Sequence, residues 1–358
     1  MNRATVFVPF AMPTPNWNGD VSTLFVNNTD LMPEDWRFIE PLWSDPDAAW
    51  AFFHGVPRNG LERKIRRPNL ARYRAALQAV RHARHHQPAA VLVSHLPAMT
   101  AATNILRRYS CPKVRHVAFA FNFTDLPTGA RLSYFRRALQ GIDEFVVFSK
   151  AEQATYARTF GLPQDRIRML HWAMDAPVAG PDNPTGFQTP YLCAIGGEGR
   201  DYASLAEAMR ALPEITLAIV ARPYSVGGIR FPDNVKVFTN LPAPQTWRLA
   251  QDSMGMVIPL KSADTACGHI TIVGAQLLNI PLAVTRSSGV SDYVNDDTAR
   301  VLEPQNMPDL VAALRELSAG GDAVCQRQHT ALELARSRSS LTHWVRYFES
   351  LCTAPGFS

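Results

Sequence analysis

The residues best suited to bind a phosphate group lie in a glycine-rich segment, GGEGRDY, at 196–202. Gly197 and Gly199 allow the backbone to approach a ligand closely, and the helix predicted to follow directs its first N–H groups outward. Arg200 adds a guanidinium, whose planar set of donors matches a phosphate. The segment therefore predicts an anion site, with a tight turn that carries a surface arginine as the alternative.

A second segment, PLKSADTACGHIT at 259–271, combines a cation with another helix start. A buried strand is predicted to end at Leu260, and a helix to begin near Gly268. The amide groups of that helix start would face the same edge of the sheet as the first segment. The residues predicted to bind an anionic ligand here are Lys261, Gly268, His269, Ile270 and Thr271.

The third segment, RHVAFAFNFTDLP at 115–127, is a strand that runs into a polar tip. His116, Asn122 and Asp125 are candidates to face a ligand, because an imidazole and a carboxylate are the usual groups for proton transfer. Residues 58–137 are rich in Lys and Arg, and Glu62 and Asp125 are their only acidic residues. We therefore expect Asp125 to have a specific partner. A salt bridge for Asp125 and a buried core histidine for His116 are the alternatives.

Charge is unevenly distributed along the chain. Residues 58–137 contain 16 Lys and Arg against two acidic residues, while the whole chain has 36 against 31. Arg66 and Arg67 lie in the densest part of this stretch. Such a field favours an anionic partner, which could be nucleotide phosphates, an acidic glycan, an anionic membrane surface or nucleic acid. Nucleic acid is weakly supported, because no motif that reads bases accompanies the charge.

The elements that must position these residues alternate between short apolar runs and amphipathic stretches. Continuous apolar runs are typical of strands buried on both faces of a parallel sheet. Predicted strands lie at 4–10, 90–96, 114–121, 144–150, 191–196, 215–221, 235–238, 254–260 and 281–285. Predicted helices lie at 71–86, 202–212, 269–279, 307–319, 322–337 and 340–352. Strand–helix alternation predicts a doubly wound α/β fold.

A proline- and glycine-rich segment at 175–190 divides this pattern into two parts. We predict a domain over 1–174, a linker over 175–190, a second domain over 191–339, and a terminal helix over 340–358 that packs back on the first domain. Two such domains create a cleft between the carboxyl edges of their sheets, where ligands bind in open α/β folds.

Composition excludes several classes of protein. Apolar residues make up 46% of the chain and charged residues 19%, which is a globular composition. The five cysteines include no C-x-x-C pair, so we expect reduced thiols rather than a disulfide scaffold or a cysteine-based zinc site. The sequence contains no run of about 18 apolar residues, the length that a membrane-spanning helix needs. We therefore expect a cytoplasmic protein, either free or attached peripherally to the inner membrane face.

In their order along the chain, these motifs resemble those of GT-B glycosyltransferases, particularly the family 4-like retaining group that uses nucleotide-sugars. FVVFSKAEQ at 145–153 is similar to the family's strand that ends in serine. GLPQDRIRMLHWAMD at 161–175 resembles its passage into the linker, and GRDYASLAEA at 199–208 its basic loop and helix. VIPL at 257–260, GHITIVGAQLLNIPLAVT at 268–285 and SGVSDYVND at 288–296 complete the resemblance.

The resemblance implies two Rossmann-like domains that face each other across a cleft, and an enzyme that transfers a sugar from a UDP- or GDP-sugar. The second domain would bind the donor, through Arg200, Lys261 and the helix start at 268–271, with no catalytic metal and no cofactor. The first domain would bind an anionic glycan or a lipid-linked acceptor. His116 would contact the sugar in a retaining enzyme, whereas Asp125 would be the base in an inverting one. The family's pair of glutamates is replaced by Ala266 and Gly274.

Three other functions remain open. An epimerase or a hydrolase acting on a nucleotide-sugar could use the same fold and would convert the donor without an acceptor. A dinucleotide-dependent oxidoreductase is disfavoured, because the glycines at 196–199 lack the G-x-G-x-x-G spacing. A nucleic-acid-binding protein would use the basic stretch instead of the cleft.

Overall fold

The computed structural model describes residues 22–30, 43, 47–65, 68–123, 125–197, 199–264 and 267–353. The predicted strand at 4–10, the candidate residues Arg66 and Arg67, and Ala266 lie outside these ranges. The described part forms two parallel sheets flanked by helices, so the predicted fold class is confirmed. None of its helices has both the length and the apolar character needed to cross a membrane.

The first sheet has six parallel strands in the order β2-β1-β3-β4-β5-β6. Its core is built by apolar side chains on both faces, as the continuous apolar runs predicted. The strands are β1 (Thr23–Thr29), β2 (Ala48–His54), β3 (Ala90–His95), β4 (Arg115–Phe119), β5 (Glu144–Val147) and β6 (Ile167–Met169).

Five helices connect these strands: α1 (Gly60–Lys64), α2 (Leu70–His85), α3 (Pro97–Ser110), α4 (Gly129–Ala138) and α5 (Lys150–Phe160). Local sequence sets where several of them begin. The Asn69 side chain accepts a hydrogen bond from the backbone N–H of Arg72, and Ser149 accepts one from Glu152. Such caps satisfy N–H groups that have no partner inside the helix.

The second sheet also has six parallel strands, in the order β12-β11-β10-β7-β8-β9. The strands β7 and β10 are neighbours, and the chain continues from β7 toward one edge of the sheet and from β10 toward the other. The carboxyl edge between them is therefore a switch point, where ligands bind in such folds. The strands are β7 (Tyr191–Ile195), β8 (Thr216–Ala221), β9 (Val235–Thr239), β10 (Met256–Ile258), β11 (Leu282–Thr285) and β12 (Arg300–Leu302). The helices are α6 (Tyr202–Arg210), α7 (Pro223–Val226), α8 (Ala243–Gln251), α9 (His269–Leu277), α10 (Met307–Ala319), α11 (Asp322–Arg338) and α12 (Leu341–Thr353).

Residues 170–190 contain neither helix nor strand and connect the two sheets. The chain then returns to the first sheet through α12, whose Trp344 ring stacks on Phe148 with centroids 5.6 Å apart. Phe348 of the same helix contacts Trp50 and Phe119 at 5.0 and 5.1 Å. The final helix therefore completes the core of the first half.

Candidate functional site

A cavity of about 760 Å³ lies between the two halves of the molecule. From the first half it is lined by the loop after β4 and by the first turns of α5. From the second half it is lined by the loops that follow β7 and β10. Ionisable and amide side chains on its walls are Asn122, Asp125, Glu152, Tyr156, Arg158, Lys261, Asp264 and Cys267.

The loop after β4 brings two predicted residues to this cavity. Asn122 and Asp125 are both exposed, and both lie on its wall. The loop follows the carboxyl end of a central strand, which is where side chains reach a ligand in a parallel sheet. Asp125 thus presents an exposed carboxylate to this cavity.

His116 lies elsewhere, and its predicted contact with a sugar is contradicted. Its side chain is completely buried within β4. Nε2 lies 2.7 Å from the Ser94 hydroxyl, and Nδ1 lies 3.2 Å from the Asn104 side-chain oxygen. Burial, together with the nearby positive charge of Arg107, holds the pKa of His116 well below its usual range. This histidine is a neutral core residue.

Arg200 is also mostly inside the protein, with 4% of its surface exposed. Its Nε donates to the Ile195 carbonyl at 3.2 Å, and Nη2 donates to the Thr271 hydroxyl at 3.3 Å. The guanidinium lies directly under Gly196, where a Cβ would come within 2.9 Å of its carbon. Arg200 therefore joins the end of β7 to the first turn of α9, instead of projecting into the cavity as a free fork.

Lys261 reaches the interdomain cavity from the loop after β10. Its backbone N–H donates to the Gly199 carbonyl at 3.1 Å, which places the two predicted segments side by side. The side chain is exposed, and it forms no ion pair with any other residue of the described ranges. Lys261 is thus a cation that is available to an anionic ligand.

The start of α9 divides its predicted residues between two environments. Gly268 has a φ of +112° and precedes the first helical residue, a conformation that favours glycine. The His269 side chain turns away, and its Nε2 lies 2.6 Å from the Gly289 carbonyl. Burial lowers the pKa of His269, so a neutral ring is expected there. Ile270 is half exposed, and Thr271 is buried beside Arg200.

Ile270 and Thr271 line a second cavity, of about 440 Å³, within the second half. Gly196 and Gly197 form another wall, and the side chains of Arg222 and Trp247 complete it. The cavity opens at the carboxyl edges of β7 and β8, next to the first turn of α9. It therefore combines backbone amides, a guanidinium and an indole, which suit a phosphate and an aromatic base.

Trp247 explains why residue 274 has no side chain. A Cβ on Gly274 would lie 2.8 Å from Cζ2 of the Trp247 ring, so no larger residue fits without movement of the indole. A carboxylate at this position would therefore require the indole to move. Trp247 and Arg222 were not predicted, because their distance in sequence from the glycine-rich segments hides their proximity.

Glu152 and Tyr156 on α5 were also missed, although the sequence carries a signal for one of them. Ser149 followed by Glu152 is the capping-box spacing at a helix start. Glu152 accepts hydrogen bonds from the Ser149 hydroxyl at 3.0 Å and from the Tyr156 hydroxyl at 3.1 Å. Burial raises the pKa of Glu152, and these hydrogen bonds oppose the increase.

In the described ranges, no group of three or more His, Cys, Asp or Glu residues is arranged to hold a metal ion.

Comparison with known proteins identifies the fold. No protein-family model matches the chain, and no curated protein matches its sequence. Solved structures do match across almost the whole chain. HepE of Anabaena in complex with UDP and glucose superposes with a TM-score of 0.69 at 11% identity, over 93% of this chain and 100% of that chain.

Two further structures give the same result. A glycosyltransferase from Rickettsia africae ESF-5 has a TM-score of 0.67 at 12% identity, over 93% of this chain and 98% of that chain. The lipopolysaccharide outer core galactosyltransferase WaaB in its apo form has a TM-score of 0.63 at 12% identity, over 92% of this chain and 99% of that chain. The chain has the GT-B fold.

Proposed function

We propose that this protein is a glycosyltransferase that moves a sugar from a nucleoside-diphosphate sugar to an acceptor hydroxyl. One observation carries the proposal: the interdomain cavity has an exposed carboxylate, Asp125, on one wall and an exposed ammonium, Lys261, on the other. A carboxylate can accept a proton from the acceptor, and a cation can stabilise the negative charge of a departing diphosphate.

The donor is proposed to bind on the second half. The nucleoside would occupy the cavity lined by Trp247 and Arg222, next to the first turn of α9. The diphosphate would then lie near the N-terminal amides of α9 and Lys261, where partial and full positive charges converge. Arg200 would contribute from beneath, by holding the glycine loop and α9 in place.

The reaction is proposed to be a single displacement that inverts the anomeric centre. The Asp125 carboxylate takes the proton of the acceptor hydroxyl, and the acceptor oxygen forms a bond to the anomeric carbon. The bond from that carbon to the diphosphate oxygen breaks, and the nucleoside diphosphate leaves with the electron pair. The buried position of His116 supports this route over a retaining one, since no imidazole is offered to the sugar from β4.

The printed names of similar structures suggest which donor to test first. HepE was crystallised with UDP and with UDP-glucose, and WaaB is named a galactosyltransferase. These names concern other proteins with the same fold, and one fold supports many functions. We therefore propose a UDP-hexose as the first candidate donor and a GDP-sugar as the second.

The donor test is a thermal-shift panel of UDP, GDP and ADP with their sugars. A ligand that binds the native state raises the melting temperature by mass action. UDP and a UDP-sugar are expected to stabilise the protein, and ADP to do so weakly. If none of the nucleotides raises the melting temperature or binds in calorimetry, the proposal is wrong. Conversion of the donor without an acceptor would favour an epimerase or a hydrolase.

Asp125→Asn tests the chemical step. The amide cannot take the proton, so turnover should fall by about two or more orders of magnitude, while the affinity for UDP stays nearly unchanged. Asp182→Asn, at an exposed carboxylate of the connecting segment, is the matched control and should keep the turnover of the wild type. The anomeric configuration of the product, read by NMR, should be opposite to that of the donor.

The proposed reaction needs no metal, because Lys261 and the helix amides supply the positive charge. Turnover should therefore be the same with and without EDTA. A loss of activity in EDTA that Mg²⁺ or Mn²⁺ restores would contradict this part of the proposal.

The acceptor is proposed to be an anionic glycan or a lipid-linked sugar, bound on the first half. Helices α2, α3 and α4 contain no acidic residue, and together they expose arginines and aromatic rings. We call this surface the basic face, which consists of Tyr73, Leu77, Arg81, Arg84, Arg108, Tyr109, Arg131, Tyr134, Arg136 and Arg137. A surface with this composition suits the anionic headgroups of a membrane that carries the acceptor.

A further inference from the structure

The loop that carries Asn122 and Asp125 is hydrogen-bonded to a side chain of α5. The backbone N–H of Phe123 donates to the Tyr156 hydroxyl at 2.9 Å. Tyr156 is buried and lines the interdomain cavity from the second turn of α5. The backbone N–H two residues before Asp125 therefore donates to a phenol oxygen that belongs to a different element.

The direction of the proton on Tyr156 is fixed by its partners. A tyrosine hydroxyl has one proton to donate, and the Phe123 N–H uses its lone pair. The hydroxyl must therefore donate to its other neighbour, the Glu152 carboxylate, at 3.1 Å. The second carboxylate oxygen accepts from the Ser149 hydroxyl at 3.0 Å and from the Phe148 N–H at 3.2 Å. Glu152 thus holds Tyr156 in the orientation that receives Phe123.

Aromatic packing fixes the ring of Phe123 but leaves the backbone to this hydrogen bond. The ring contacts Phe135 at 5.0 Å and Phe160 at 5.1 Å between centroids. Tyr156 packs against the same cluster, with its centroid 5.9 Å from that of Phe123. A phenylalanine at 156 would keep these contacts and remove only the hydroxyl. The chain therefore offers a substitution that separates packing from positioning.

We propose that Tyr156, oriented by Glu152, is a positioning residue that sets the place of Asp125 on the cavity wall. The inference rests on the proposed function, in which Asp125 is the base. Misplacement of a reacting group by about 1 Å can cost about a hundredfold in rate. A small movement of the loop should therefore appear in turnover before it appears in donor binding.

The experiment compares Tyr156→Phe with Tyr191→Phe. The Tyr191 hydroxyl is a matched control, because it also donates one hydrogen bond and accepts one. It donates to the Leu249 carbonyl at 2.7 Å and accepts from Nδ2 of Asn183 at 2.8 Å. The assay measures UDP release from UDP-glucose, or from the UDP-sugar that the thermal panel selects, with octyl glucoside as acceptor. Melting temperature and calorimetric affinity for UDP are measured on every variant.

For Tyr156→Phe we expect kcat to fall by about tenfold to a hundredfold, the rate cost of a slightly misplaced reacting group. The affinity for UDP should be unchanged. Tyr191→Phe should melt at a lower temperature and keep its kcat. In the Asp125→Asn background, Tyr156→Phe should have no further effect, because a residue that acts through Asp125 cannot act without it. Glu152→Gln should reduce kcat less, since the bond from Phe123 is retained.

Two outcomes overturn the inference in distinguishable ways. If Tyr156→Phe keeps kcat within twofold, or lowers it equally with and without Asp125, Tyr156 is only structural, and the role of Asp125 stands. If Asp125→Asn itself turns over like the wild type, the proposed base is wrong, and the inference fails with it.

Discussion

Two cations of the second half, Arg200 and Lys261, were predicted to bind phosphate, and they occupy different environments. Arg200 is buried under Gly196 and donates hydrogen bonds to the last residue of β7 and to the first turn of α9. Lys261 is exposed on the interdomain cavity. The first cation is needed for the shape of the site, while the second is available for direct contact with a ligand.

Replacement by alanine should separate the two roles. A hydrogen bond to a charged group contributes about 1.5–3 kcal/mol, so Lys261→Ala should weaken UDP binding by about tenfold to a hundredfold at an unchanged melting temperature. Arg200→Ala should weaken binding to a similar extent and also lower the melting temperature by several degrees, because buried acceptors lose their donor. Calorimetry and thermal denaturation measure both effects. An Arg200→Ala protein as stable as the wild type would contradict the supporting role.

At the scale of elements, the contact between α8 and α9 shapes the cavity of about 440 Å³ in the second half. Trp247 of α8 lies against Gly274 of α9. Glycine is unfavourable in a helix interior, but here it leaves space for the indole. The indole occupies the space that a side chain at 274 would need. Because α9 has no side chain at 274, the Trp247 ring of α8 can form this part of the cavity wall.

Gly274→Ala tests this packing. Alanine should gain about 1 kcal/mol from helix propensity, and overlap with the indole should cost about 1–3 kcal/mol. A lower melting temperature and weaker UDP binding are expected. Trp247→Phe in the same chain should restore part of the stability, because the smaller ring leaves space for the methyl group. If Gly274→Ala is more stable than the wild type, the contact is looser than described.

At the scale of the whole molecule, the two halves are joined by a buried tyrosine and a returning helix. The Tyr293 hydroxyl donates to the Phe148 carbonyl at 2.7 Å and accepts from the Trp172 N–H at 2.8 Å. Asp292 beside it accepts from the Lys150 N–H at 2.8 Å. The second half thus contacts the end of β5, the start of α5 and the connecting segment.

Tyr293→Phe should weaken this joint. The variant leaves the buried Phe148 carbonyl and the partly buried Trp172 N–H without this partner, and an unpaired buried group costs about 1–3 kcal/mol. We expect a melting temperature several degrees below that of the wild type. Tyr109→Phe, at a tyrosine that is 86% exposed, is the control and should melt like the wild type. Equal melting temperatures for both variants would show that the joint contributes little.

The basic face makes a prediction about the whole molecule at a membrane. Each Lys or Arg near an anionic surface contributes about 1 kcal/mol, and the attraction is screened within about 8 Å at physiological salt. The protein should sediment with vesicles that contain anionic lipid at low salt and be released at high salt. Arg81→Glu with Arg84→Glu should abolish this binding.

The matched control is Arg230→Glu with Arg336→Glu, two exposed arginines of the second half, which should bind vesicles like the wild type. Equal binding to neutral and anionic vesicles, or no binding to either, would contradict the membrane proposal. The basic face would then be a site for a soluble acidic acceptor.

The sequence by itself determined the class of fold, because buried parallel strands need continuous apolar runs. The runs at 90–96, 114–121 and 144–150 are β3, β4 and β5, and those of the second half are found as well. Four of the described strands were missed. β1 ends in Asn27, Asn28 and Thr29, and β6 and β12 have three residues each, so these three give no clear apolar run. β2, AAWAFFH, is a continuous apolar run and was missed all the same.

Tertiary structure alone decided which candidate residues meet. A motif fixes residue type and spacing along the chain, but it does not fix the direction of a side chain. His116 and Arg200 have the right chemistry and point into the protein. Tyr156 and Trp247 carry no motif and reach the two cavities from helices far along the chain. Burial and long-range packing set these directions, and neither is encoded locally, because each depends on elements that come together only when the sheets form.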